Sequence, residues 1–435
     1  MELVRLVLGG MVAVLIAGDA SSSNSINEPL PDPLTIESAL GMASPDHPYL
    51  MSLEAEAVAR QSRVEAASGK GVTSYLELDL RQVDKTITPE TEFVDDSRVV
   101  LRIEKLLTDF GRTRTRQQAA QLDSDAFEYI RRYRSGLHQL NILSAYLDVH
   151  LADLRYNVDD ELMSLSFFPY RRTRDRREKY QEFSEITERR LESEYRKMFI
   201  KRTHSGHEQR RQRNRLALAM GRPGELVSNI LKPDISGYRR AVPDYPELLQ
   251  EILANHPLML AAREALTAVE TEFKSVVLEQ RPRLKAVFEA REYELEVGTS
   301  RDRYRAILEI NFPLGSSASA SGRQILATSK VMQAKADLKT LEYDIQQQVL
   351  EQVQRLELLE TELRAAAVEE NYRDLYVDRA RTLYELELRT DLGDSQARLA
   401  EALWNLARVE YEFVRVWAKL DLMRGRKIAF LKLTQ

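Results

Sequence analysis

Asp391 and Asp394 flank Leu392-Gly393 at a point where a long helical pattern is interrupted. Carboxylates are favoured at helix starts, where they meet free backbone N–H groups and oppose the helix dipole, so the local chemistry of this pair is capping. His204-Ser205-Gly206-His207 offers half of a metal site, but in a polar, glycine-broken stretch solvated surface is the stronger reading. Arg171-Arg172-Thr173-Arg174 and Arg210-Arg211-Gln212-Arg213 have side chains suited to phosphate backbones. Acidic neighbours and a net charge of -5 place them on solvated helix faces instead, and no nucleic-acid partner is expected. Gly69-Lys70-Gly71 lacks the earlier glycine of a phosphate loop. No local motif favours a Ser/His/Asp or Cys/His grouping. The expectation is a chain with no catalytic residues, no metal and no cofactor, and hence not an enzyme.

Any such residues need elements to position them, and the chain states its elements twice. Asp46-His47-Pro48-Tyr49-Leu50-Met51 returns as Asn255-His256-Pro257-Leu258-Met259-Leu260, and Leu218-Ala219-Met220-Gly221 is echoed by Leu422-Met423-Arg424-Gly425. A unit of roughly 205 residues is far longer than a solenoid repeat and reads as a duplicated domain. The expected division is a signal peptide over 1–20, a polar tail over 21–33, a first repeat over 34–225, a linker over 226–245, a second repeat over 246–425 and a C-terminal tail over 426–435. The signal peptide rests on the apolar run from Leu6 to Ile16 behind Arg5 and on the small residues of Gly18-Asp19-Ala20; a short buried helix is the alternative there. With 43% hydrophobic and 30% charged residues, the composition is that of a soluble helical protein. No later segment has the run of about 18 apolar residues that a transmembrane helix needs. The absence of cysteine rules out disulfides, zinc-thiolate sites and a lipid-anchored mature N-terminus.

Each copy has one plan: helix, β-hairpin, very long helix, long helix. In the second copy the helical pattern from Pro246 to Lys274 breaks or restarts at Pro257, and Arg281-Pro282 ends it. Leu284, Ala286, Phe288 and Ala290 then alternate with Lys285, Val287, Glu289 and Arg291. Tyr304, Ala306, Leu308, Ile310 and Phe312 alternate with Arg305, Ile307, Glu309 and Asn311. This period of two marks a hairpin over about 283–313 whose faces meet different solvents. From Arg323 to Leu392 there is neither glycine nor proline, and Leu338, Leu341, Ile345, Val349, Val353, Leu356, Leu359 and Leu363 recur at coiled-coil spacing. Such a helix of about 70 residues is roughly 100 Å long and needs partners along its length. A second helical run follows from Asp394 to Arg424. In the first copy a helix is expected from about Ile36 to Ala67, a hairpin over about 74–107, and helical runs over about Thr113–Val158 and Arg174–Met220. The stretch Ser164 to Tyr170, with Phe167-Phe168-Pro169, interrupts that pattern. The turn is expected at Phe167 to Arg174 or, counted back from Gly221, nearer Ser184-Glu185-Ile186-Thr187.

Two hairpins give four strands, too few to close a barrel, and open sheet edges are not tolerated in lipid. Three chains supply twelve strands with an apolar outside and a polar lumen. The alternative is a small soluble β-domain capping a helical stalk, in a periplasmic coiled-coil scaffold without channel activity. The helices, with charged residues flanking their apolar stripes, suit a hollow cylinder, although a solid coiled-coil rod has the same heptads. The duplication and the paired alternating strands favour the channel.

Over nearly its whole mature length the sequence resembles the TolC-type outer membrane efflux protein family. The resemblance lies in the His-Pro helix starts at His47-Pro48 and His256-Pro257, Arg281-Pro282 before a strand and Asn311-Phe312-Pro313-Leu314 after one. Ala219-Met220-Gly221 closes the first copy, and Asp391-Leu392-Gly393-Asp394-Ser395-Gln396 resembles the family's two-aspartate turn. The resemblance implies a homotrimer with a twelve-stranded outer-membrane β-barrel continued by a periplasmic α-helical barrel. It implies an exit duct for efflux or type I secretion, set in the outer-membrane lipid of a Gram-negative cell. The duct works with a periplasmic adaptor and an inner-membrane transporter. It further implies a gate at the periplasmic tip, with Asp391 and Asp394 forming rings of carboxylates about the threefold axis. Tyr384 and Arg389 resemble residues that hold the inner helices closed. Repulsion within such rings raises some carboxyl pKa values and attracts cations.

Overall fold

The computed structural model describes residues 29–69, 71–85, 92–95, 97–293, 302–314, 318–386 and 392–428. The expected signal peptide and most of the C-terminal tail lie outside these residues.

The helix–hairpin–helix–helix plan is present twice. The first copy holds α1 (Ile36–Gly41), α2 (Pro48–Ala67), strands β1 (Val72–Asp79), β2 (Gln82–Lys85), β3 (Glu92–Asp95) and β4 (Arg98–Thr108), then α3 (Arg112–Tyr180) and α4 (Glu185–Ala219). The second holds α5 (Tyr245–Asn255), α6 (Pro257–Val277), β5 (Arg283–Tyr293), β6 (Tyr304–Asn311), α7 (Ala318–Glu385) and α8 (Leu392–Met423).

Two expectations need correction. Ile36 to Ala67 is not one helix, because the chain leaves the helix after Gly41 and starts again at Pro48. Proline suits the first helical position, where its missing N–H is no loss. The preceding histidine supplies the cap: His47 Nδ1 accepts from the Tyr49 N–H at 3.2 Å, and His256 Nδ1 from the Leu258 N–H at 3.1 Å. The turn of the first long hairpin does not fall at Phe167 to Arg174 either, since α3 runs through Pro169 for 69 residues. An interior proline removes one backbone hydrogen bond, here that of the Leu165 carbonyl. Aromatic packing against α4 holds the segment helical: Phe167 lies 5.3 Å from Tyr195, and Tyr170 stacks on the same ring at 5.7 Å. The chain reverses instead between Gln181, in the left-handed conformation at φ 58°, and Ser184, whose hydroxyl accepts from the Thr187 N–H at 3.3 Å. This is the second of the two expected positions.

The four strands β1–β4–β5–β6 form one antiparallel sheet that joins the two hairpins through β4 and β5 and leaves β1 and β6 as edges. A separate two-stranded ladder, β2–β3, extends the first hairpin. The long helices lie side by side in the order α4–α3–α8–α7, with α6 packed on both α3 and α7. Two glycines set the spacing of α3 and α8. A Cβ on Gly136 or on Gly393 would meet the side chain of Leu422 or Leu165 respectively, so each end of α8 lies close against α3.

The core lies mid-way along the helices. Ile142 to Val149 of α3, Ile345 to Leu359 of α7 and Val409 to Met423 of α8 enclose it with α1, α5 and the inter-repeat segment. Tyr146, fully buried, ties the two chain passages that cross this level. Its hydroxyl lies 2.9 Å from the Leu34 carbonyl and 2.7 Å from that of Leu231, and burial raises its pKa. Tyr146→Phe is expected to destabilise the chain by about 1 kcal/mol, read as a lowered unfolding midpoint, because the Leu231 carbonyl loses the hydroxyl while the Leu34 carbonyl keeps the Leu231 N–H at 3.0 Å.

Candidate functional site

The sheet has two chemically distinct faces. Cross-strand register puts Leu76 opposite Leu101, Leu101 opposite Ala290, Ile103 opposite Phe288, and Ala286 opposite Leu308. Leu284 and Ile310 continue the same face, and its large residues are exposed: Leu76 at 52%, Leu308 at 65% and Ile310 at 67%. A soluble sheet would bury such a face. The opposite face is an ion-pair lattice. Arg98 meets Asp79 at 3.0 Å, Lys285 meets Glu104 at 3.2 Å, Arg102 meets Glu104 at 2.6 Å and Glu289 at 3.7 Å, and Arg291 closes on Glu289. Alternation within single strands pointed to this division. Pairing across four strands makes it continuous.

The far ends of the long helices carry the residues that the sequence pattern singled out. Tyr384 sits exposed in the last turn of α7. Asp394 sits exposed in the first turn of α8 and accepts from Arg398 Nε at 2.7 Å, so it stands at a helix N-terminus and in an i,i+4 ion pair at once. Asp394 also contributes to raising the pKa of Arg373, after Glu369, which supplies the main hydrogen bond. Arg389 and Asp391 lie outside the described residues. The structure therefore places Tyr384 at the end of α7 and Asp394 at the start of α8.

Sequence reasoning missed what supports these helix ends. Gly393, read as an interruption, is a contact point where an added Cβ would press on the end of the Leu165 side chain. Beyond Leu165, α3 continues to Tyr180, fifteen residues or about 22 Å further. The α3–α4 turn is held by an ion pair between Arg177 and the buried Glu188. His204 and His207 are exposed on α4, and among the described residues no group of three or more side chains is arranged to hold a metal ion. Of the arginine clusters, Arg174 pairs with Glu178 at 3.0 Å and Arg213 with Asp153 at 2.7 Å.

A third feature lies between these ends. The inter-repeat segment is clamped to α8 by Arg239–Glu410 at 2.9 Å and by Arg240, whose two terminal nitrogens each lie 2.9 Å from a carboxylate oxygen of Asp421. Glu410 and Asp421 are buried, and Arg240 lies over the rings of Tyr238 and Trp417 at 5.3 and 5.1 Å. No local motif marks this clamp, because its partners are 171 and 181 residues apart.

No protein-family model matches the sequence, and no curated protein matches it by sequence. Solved structures match it by fold. The CmeC outer membrane channel of Campylobacter jejuni gives a TM-score of 0.70 at 12% identity over 91% of this chain and 87% of that one. The outer membrane protein VceC from Vibrio cholerae gives 0.69 at 14% identity, covering 90% of this chain and 96% of that one. The open state of the MtrE outer membrane channel of Neisseria gonorrhoeae gives 0.68 at 14% identity, covering 90% and 89%. The chain has the fold of these outer membrane channels, and the TolC-type resemblance seen in the sequence holds at the level of fold.

Proposed function

We propose that this chain is one of three in an outer-membrane exit duct for efflux or secretion. The observation that carries the reading is the open sheet with one apolar and one ionic face. Its edges β1 and β6 are unpaired in the single chain, and sheet edges in lipid must be paired. Three copies joined edge to edge make a twelve-stranded barrel, with the apolar band toward lipid and the ion-pair lattice toward a water-filled lumen. The long helices then continue the duct as a hollow cylinder into the periplasm of a Gram-negative cell. A periplasmic adaptor and an inner-membrane transporter complete the assembly. The duct performs no bond chemistry; it confines and selects.

The gate falls at the far end, where α7 turns into α8. Three copies bring Asp391 and Asp394 into two rings of three carboxylates, while Tyr384 and Arg389 tie the inner helices to their neighbours. Capping and gating are compatible roles for Asp394, whose carboxylate already serves Arg398. Single-channel conductance of the purified protein in a planar bilayer tests both parts. Cation-selective openings blocked by millimolar trivalent cation are expected. Asp391→Ala/Asp394→Ala is expected to weaken that block about tenfold or more, the loss of roughly 1.4 kcal/mol of binding. A protein that gives no conductance and stays out of micelles would instead be a coiled-coil scaffold.

A further inference from the structure

The apolar face of the sheet is not uniform. Cross-strand register places Lys105, Ala286 and Leu308 in one row, and Ile103, Phe288 and Ala306 in the next row away from the helices. The two alanines adjoin diagonally among larger side chains and leave a groove of about 460 Å³ with Lys105 on its helix-side rim. Among the strand residues of this face Lys105 is the one base, and Glu292, toward the opposite end, is the one acid. Lys105 is exposed and, among the described residues, forms no ion pair. A base among lipid-facing side chains is costly unless it lies near the interface or meets a counter-charge.

Both conditions are at hand. Lys105 stands three residues, about 10 Å, from the end of β4 at Thr108, and its flexible stem can carry the ammonium toward that end. The junction between sheet and helices is basic: residues 105–116 and 279–283 hold six Lys/Arg against two Asp/Glu. Neither acid is spare. Asp109 accepts from the Thr113 N–H at 2.8 Å, and Glu279 is shared by Arg112 and Arg323. Among the described residues Arg114 forms no ion pair, and Arg281, which donates to the Phe110 carbonyl at 3.0 Å, meets no carboxylate. The far ends of the two hairpins have the reverse balance, since residues 79–97 and 292–302 hold ten Asp/Glu against three Lys/Arg. Uncompensated positive charge is therefore a property of the helix-side end alone.

We propose that the groove and Lys105 form a site for an anionic phospholipid of the leaflet that faces the periplasm. One acyl chain lies along Ala286 and Ala306, and the phosphate meets Lys105 with Arg114 and Arg281. This rests on the exit-duct reading and adds the lipid that the duct selects. The groove is continuous with the apolar band which that reading gives to lipid. Basic clusters at a membrane surface favour anionic headgroups, with each base adding to the attraction, and salt weakens it.

Native mass spectrometry of the full-length protein in uncharged detergent micelles, titrated with phosphatidylglycerol, phosphatidylcholine or soluble glycerol phosphate, reads the site. Phosphatidylglycerol is expected to bind about tenfold more tightly than phosphatidylcholine, and glycerol phosphate, which has no acyl chain, about tenfold more weakly still. Lys105→Gln/Arg114→Gln is expected to bring phosphatidylglycerol down to the level of phosphatidylcholine. Arg283→Gln removes a base from the ionic face and is expected to leave the preference unchanged. Ala286→Leu/Ala306→Leu fills the groove from the exposed side and is expected to weaken both lipids. Equal binding of the two lipids by wild type, a preference that survives Lys105→Gln/Arg114→Gln or is lost equally in Arg283→Gln, or a filled groove that binds as wild type does, overturns the site and leaves the duct standing. So does phosphatidylglycerol held no better than glycerol phosphate. A wild-type chain that takes up neither lipid and stays dispersed without detergent overturns the membrane reading and the site with it.

Discussion

Asp421→Ala is expected to destabilise the chain by about 3 kcal/mol, the low end of the range for breaking a buried ion pair. The Asp421 side chain is 4% exposed and meets Arg240 through two bonds of 2.9 Å, while 31% of the Arg240 side chain remains in contact with water. Removing the carboxylate leaves a guanidinium stacked between Tyr238 and Trp417 with no anion to receive it. Arg424, 4.0 Å from Asp421, loses an anion as well and keeps Glu251 at 3.2 Å. Asp421→Asn keeps the shape and one acceptor, so it should fall between the two. Chemical unfolding in detergent measures the difference, and an alanine variant within 1 kcal/mol of wild type would show that the clamp contributes little. The effect should reach beyond stability, since the clamp joins the inter-repeat segment to α8.

Acidification is expected to destabilise the chain through the buried histidine at the second helix start. His256 is 1% exposed, and burial pushes its pKa down to about 4 from an ordinary value near 6.5. Between those values the unfolded chain binds more protons than the folded one, so stability falls as pH drops through the window and is fully present above it. The linkage amounts to roughly 3 kcal/mol per chain. Structure gives the reason: the Nδ1 lone pair that accepts from Leu258 is lost on protonation, and the ring is enclosed beside Tyr133 at 5.1 Å. His47 makes the same cap but is half-exposed. His138 and His150, also pushed down by burial, add slope of the same sign. Thermal melts from pH 7 to 4 should therefore compare wild type with His256→Asn, which caps without titrating. A flatter profile in the variant is expected; parallel profiles would clear His256.

The strands were legible because their two faces meet different surroundings, as Leu284-Lys285-Ala286 shows within three residues. The seam of α7 was legible for a similar reason, since Ile345, Val349, Val353, Leu356 and Leu359 are all buried. Pro169 misled, because local chemistry says break while packing of Phe167 and Tyr170 on Tyr195 says continue. The gap after Gly41 was hidden by an apolar pattern that runs on through Met42 and Ala43. At the proposed gate, Tyr384 and Asp394 were reached only through resemblance, since exposed residues near a turn leave no periodic mark. The clamp and the Gly393–Leu165 contact depend on residues far apart in sequence, and a single chain read along its length has no way to pair them.

Gly136 and Gly393 have a mechanical consequence. Each admits a leucine of the opposing helix, one near either end of the α3–α8 contact. The two points lie 29 residues apart along α8, from Gly393 to Leu422, or about 43 Å. Sliding α8 by one turn, about 5.4 Å, would drive both leucines out of their notches and against side chains. A rearrangement that keeps both contacts must therefore move α3 and α8 together.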